Sequence, residues 1–132
     1  MAIKYIKIDD GRVPPHEYLP CAAITPKWGM AMVQAGENLT VATGNAVPEY
    51  LCMCEYEGAV EEGTLIPVCK VAEDIIYLAP LSADGSALNI GDKVTLGADG
   101  LTVTATTGGS FKISAIHGTD AGDNVEGRFV SE

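Results

Sequence analysis

The sequence is short of positive charge, of aromatic side chains and of long apolar runs. Eight Lys and Arg stand against eighteen Asp and Glu, a formal charge of −10. The clustered cations that DNA, RNA or anionic lipid headgroups require are therefore missing. Aromatics make up only 6% of the chain, too few for a platform on which bases stack. No apolar run approaches the ~18 residues of a membrane helix. The opening MAIKYIKIDDG is broken by charge every few residues and does not read as a signal peptide. These absences predict a soluble, intracellularly made chain with no membrane span and no nucleic-acid partner.

Chemistry is equally sparse. His16 and His117 are the two histidines. The phosphate-cradling G-x-x-x-x-G-K-[ST] loop is missing, and so is the D-x-[DN]-x-[DN]-G calcium loop. Cys21, Cys52, Cys54 and Cys69 form no C-x₂₋₄-C knuckle, so zinc is disfavoured and core thiols are the expected role. Cys52 and Cys54 lie two apart and would share one face of a strand. His117 precedes Gly118 and reads as the end of a strand, although a thiol–histidine pair stays open. The acidic neighbours Asp9-Asp10 and Glu61-Glu62 read as solvated surface. No catalytic, cofactor or metal residue is assigned.

What the chain has in quantity is strand-forming sequence. Thirty-one of 132 residues are Val, Ile or Thr, which suit a pleated, half-buried surface. Nine runs are candidate strands: Met30–Gln34, Asn38–Thr43, Tyr50–Glu57, Thr64–Val71, Asp74–Ala79, Lys93–Leu96, Leu101–Thr106, Phe111–His117 and Val125–Val130. LGADGLTV carries the Asp-Gly signal of a tight hairpin. A further pattern of small or apolar residue, Gly, acid, polar residue and aliphatic recurs at Ala35–Leu39, Ile90–Val94 and Ala121–Val125. Glu62-Gly63-Thr64-Leu65 is a shortened relative. Gly would supply a positive-φ turn, the acid would accept backbone N–H groups beyond it, and the aliphatic would point inward. The expected fold is all-β, a small single-domain barrel or sandwich.

Residues 1–27 differ from the rest. They carry Lys4, Lys7, Arg12 and Lys27 against three acids, whereas residues 28–132 carry fifteen acids against four bases. Pro14, Pro15, Pro20 and Pro26 punctuate the segment, removing backbone donors and opposing both helix and central strand. We therefore expect an extended Pro-rich arm over 1–27 and a folded body over 28–132. About twenty extended residues reach ~60 Å, far enough to touch a neighbour. IKYIKI, residues 3–8, either pairs back onto its own sheet or adds a strand to another chain. Ile3, Tyr5, Ile6, Ile8 and Trp28 are the candidate partner contacts. Trp28 reads first as a plug over one end of a barrel and second as an anchor between subunits.

The stretches ITPKWGMAMVQAGENLTVATG, EGAVEEGTLIPV and LNIGDKVTLGADGLTVTATTGGSFKISAIHGTDAGDNVEGRFV carry a resemblance. From Ile24 to Val130 the chain resembles small phage capsid decoration, or head-stabilising, proteins. It is similar both to the lambda-type head decoration protein and to a prophage family sometimes labelled a predicted recombinase. The resemblance implies a β-rich homotrimer on the outer face of the virion, made in the host bacterial cytoplasm. Its partner would be the major capsid protein, with no cofactor and no enzymatic activity. The arm departs from the family pattern in being longer and richer in proline. The recombinase label finds no nucleotide loop, basic groove or helical scaffold here. Two other readings compete: a ligand-binding β-barrel module for a carbohydrate or small metabolite, and a small enzyme using Cys52 or Cys54 with His117.

Overall fold

Alternation of apolar and polar residues along short strands builds two sheets that share a wall. The computed structural model describes residues 3–8 and 16–131, with residues 5–8 described by their backbone alone. Its strands are β1 (Lys4–Ile8), β2 (His16–Cys21), β3 (Ala31–Ala35), β4 (Asn38–Val41), β5 (Tyr50–Cys52) and β6 (Thr64–Lys70). They continue as β7 (Ile75–Pro80), β8 (Lys93–Leu96), β9 (Val103–Thr107), β10 (Phe111–Ile116) and β11 (Asn124–Phe129). Strands β2-β4-β3-β5-β6 close into a barrel, and β1-β7-β11-β10-β8-β9 form an open sheet. The protein is all-β: among the described residues no segment is helical, so no helix is long and apolar enough to cross a membrane.

The shared wall follows from the period of two in a strand. On β3, Met32 points into the barrel while Ala31 and Val33 point toward the open sheet. On β5, Tyr50 and Cys52 face the barrel and Leu51 faces the sheet. Backbone bonds reinforce the join, from the Ala31 N–H to the Gly100 carbonyl at 2.8 Å and from the Leu96 N–H to the Gly44 carbonyl at 2.8 Å. The Ser110 hydroxyl, itself buried, donates to the Ala46 carbonyl at 2.8 Å.

All nine expected strands are present, although β5 stops at Cys52 rather than Glu57. The LGADGLTV segment forms the β8–β9 hairpin, with Gly100 at φ 70°. Gly36, Gly63, Gly91 and Gly122 of the recurring pattern take φ between 66° and 98°, the left-handed turn that Gly adopts without penalty. Leu39, Val94 and Val125 that follow are fully buried, but Leu65 of the shortened copy points outward. The acid works differently from expectation. Asp92 and Asp123 accept the N–H groups of Asn89 and Asp120, three residues before them rather than beyond.

The expectation of an extended arm over 1–27 is corrected for its described residues, 3–8 and 16–27. β1 pairs antiparallel with β7, from Lys4↔Leu78 to Ile8↔Ile75, which is the own-sheet alternative. β2 pairs antiparallel with β6 along its length, from His16↔Cys69 to Cys21↔Thr64, and closes the barrel. The boundary at residue 28 is thus no structural boundary. Pro20 is tolerated inside this strand because β2 meets β4 only at Cys21↔Leu39. At Pro20 that side of the strand is edge-like, where a missing N–H costs least. Pro14 and Pro15 lie outside the described residues.

Candidate functional site

The expected contact residues separate into three groups. Ile3 is fully buried in the core between the sheets and is not available to a partner, which corrects that assignment. Tyr5, Ile6 and Ile8 belong to β1, and the backbone pairing shifts register at Ile6. Their side chains lie outside the described part of the structure. Trp28 is 45% exposed. It borders an open cavity of about 200 Å³ together with Ile3, Lys4, Leu51 and Met53. The turn that presents it is fixed by the Gly29 N–H donating to the Cys52 carbonyl at 2.8 Å, with Gly29 at φ 81°.

A second surface was not anticipated. Tyr18 and Leu65 are 67% and 59% exposed on the outer wall of the barrel. The β2–β6 register places Tyr18 opposite Pro67 and Pro20 opposite Leu65. Residues directly opposite one another share a face, so these four side chains form one outward apolar patch. Leu19, Cys21, Ile66 and Val68, the alternate residues, fill the barrel. The signal was present in HEYLPC and TLIPVC as apolar residues on both faces of each segment. It became legible only once the two strands were known to pair.

The interior of the barrel is occupied. Cys21, Met30, Met32, Leu39, Cys52, Ile66 and Val68 are buried there against one another. Three thiols share this core, and Cys52 Sγ lies 3.7 Å from Cys54 Sγ while its S–H donates to the Cys54 carbonyl at 3.4 Å. Cys69 pairs with Leu51 in register and takes the opposite face of the wall. Among the described residues no three His, Cys, Asp or Glu side chains converge as metal ligands. Burial pushes Cys52 up to about 12, and it raises Cys21, Cys54 and Cys69 as well. At neutral pH these groups are thiols, not activated nucleophiles. The structure brings His117 to Glu126, with which it pairs on the β10–β11 hairpin of the open sheet. Cys52 and Cys54 belong instead to the barrel.

No protein-family model, curated protein or solved structure matches the chain.

Proposed function

We propose that this protein is a structural component of a phage or prophage head, decorating the outer capsid surface as a homotrimer. The observation that carries this reading is a barrel filled by its own side chains beside large apolar residues left outside. Tyr18 and Leu65 on the wall and Trp28 at the turn supply surface for contact, while the barrel core is closed-packed. A protein that fastens to a lattice needs contacts of modest strength repeated by symmetry, and no reacting group. The acidic exterior is compatible with that role, because the genome lies on the other side of the shell. The sequence resemblance from Ile24 to Val130 supports the same conclusion.

The ligand-module reading has weaker support. The cavity beside Trp28 holds about 200 Å³, below the ~300–1,000 Å³ of sites for small molecules. It suits an inserted apolar side chain better than an enclosed metabolite.

The test is co-sedimentation of the purified protein with expanded, undecorated capsids, alongside light scattering of the free protein. Saturable binding at a fixed ratio to the major capsid protein is expected, and the double variant Tyr18→Ser/Leu65→Ser should weaken it at least tenfold. Both side chains are largely exposed, so the double variant should keep its fold to within about ±0.5 kcal/mol per site. A protein that stays monomeric and leaves the capsid fraction empty would end this reading.

A further inference from the structure

Cys52 and Cys54 have no part in the surface reading, yet their Sγ atoms are in contact at 3.7 Å. A disulfide requires ~2.05 Å, so roughly 1.7 Å of further approach completes one. An extended i, i+2 pair spans ~6.6 Å between Cα atoms, at the upper end of the ~4.4–6.8 Å a disulfide tolerates. β5 ends at Cys52, so Cys54 lies beyond the ladder and its backbone can shorten that span. Exposure divides the pair. Cys52 is fully buried in the barrel core, whereas Cys54 is half-buried and reachable from solvent.

We propose that Cys52 and Cys54 form a redox-modifiable dithiol at the end of the barrel, closing to an intrachain disulfide with a peroxide as oxidant. Cys54 reacts first. Its sulfur, having lost a proton, attacks one peroxide oxygen, the S–O bond forms, the O–O bond breaks, and the departing hydroxide takes up that proton as water. The Cys52 sulfur then attacks the Cys54 sulfenic acid and releases its own proton. The S–S bond forms as the S–O bond breaks, and the hydroxyl leaves with that proton as a second water. Two thiols give up two electrons and two protons, and one hydrogen peroxide becomes two waters. A three-residue bridge of this kind is tightly constrained, and strained disulfides are the readily reduced ones, so the modification is reversible by thiols.

The experiment treats the full chain with hydrogen peroxide, alkylates the remaining thiols and maps the peptides by mass spectrometry. Of the four free cysteines, two should escape alkylation. The peptide holding residues 52–54 should be lighter by two hydrogens and should return to the reduced mass with dithiothreitol. Mapping on the unaltered chain needs no variant to fold. The variants Cys21→Ser and Cys69→Ser should still form the bond, and Cys52→Ser should leave a Cys54 sulfenic acid that dimedone captures. Four alkylatable thiols after peroxide treatment, or a bond joining Cys21 to Cys54 instead, would overturn the proposal.

Discussion

The sheet core and the barrel core share a wall but not a composition. Tyr77, Phe111 and Phe129 pack with Ile75, Ile113, Val94, Val103 and Val125 on the sheet side. The barrel is filled by Cys21, Cys52, Met30 and Met32 around Leu39, Ile66 and Val68. Aromatic rings are rigid and make angle-dependent contacts, whereas thioethers and thiols are polarisable and adapt to irregular space. One side of this protein therefore depends on shape and the other on volume. Of the two clusters, only the barrel's holds sulfur-bearing side chains.

The largest test of that contrast is Phe129→Ala. Phe129 lies 5.2 Å from the Tyr77 ring centroid and 5.1 Å from that of Phe111, so both neighbours lose a partner. Truncation of a buried Phe costs about 3–5 kcal/mol when the site cannot collapse. Urea denaturation should show that loss with little change in m-value. A loss near 1 kcal/mol would mean that the aromatic cluster is no more demanding than the sulfur-rich one.

Alkaline pH separates the two sides next. Burial is the leading cause that raises Cys52 from 9.0 to about 12, offset in part by its hydrogen bond to the Cys54 backbone. The unfolded thiol ionises above pH ~9 while the folded one keeps its proton, so the stabilisation is complete below that pH. It is lost between pH ~9 and ~12, at about 1.4 kcal/mol per pH unit for this one group. Tyr77 in the sheet core is also raised by burial, but from 10.0, so its contribution starts a unit higher. Denaturation between pH 9 and 10 therefore reads the thiols. Cys52→Ala should flatten the slope there, and an unchanged slope would show that Cys52 ionises as easily folded as unfolded.

Much of this architecture is legible in the sequence, and the failures share a physical cause. Val, Ile and Thr runs separated by Gly located nine strands, because turns at Gly36, Gly91 and Gly122 require a conformation that Gly adopts freely. His16–Cys21 was overlooked because its Pro, Glu and His oppose a central strand, and local propensity does not register that one side of it is edge-like. The two cores were hidden as well. Adjacent residues such as Ala31 and Met32 are both apolar and both buried, and only the tertiary arrangement shows that they enter different cores. The outward apolar patch was the least legible, since Tyr18 and Leu65 become neighbours through pairing between strands some forty residues apart. The Cys52 and Cys54 pair was legible as two thiols on one face, because its spacing is local.

The two cores also differ in how they accept a small change of side chain. Met32 is fully buried in the barrel and neighbours the adaptable side chains Met30 and Cys52 in its core. Met→Leu conserves volume and removes a polarisable sulfur, a swap that costs under about 1.5 kcal/mol in most cores. In the barrel it should fall at the low end of that range, because the surrounding sulfur-bearing side chains can shift to accept a branched group. In the sheet, by contrast, Gly127 has no room for even one methyl, since a Cβ there would meet the Lys112 carbonyl and the Phe111 ring. Paired denaturation curves for Met32→Leu and Gly127→Ala should therefore place the single added methyl above the complete side-chain replacement. If Met32→Leu proves the costlier change, the barrel core is fitted as closely as the sheet, and its sulfur content is then no guide to its tolerance.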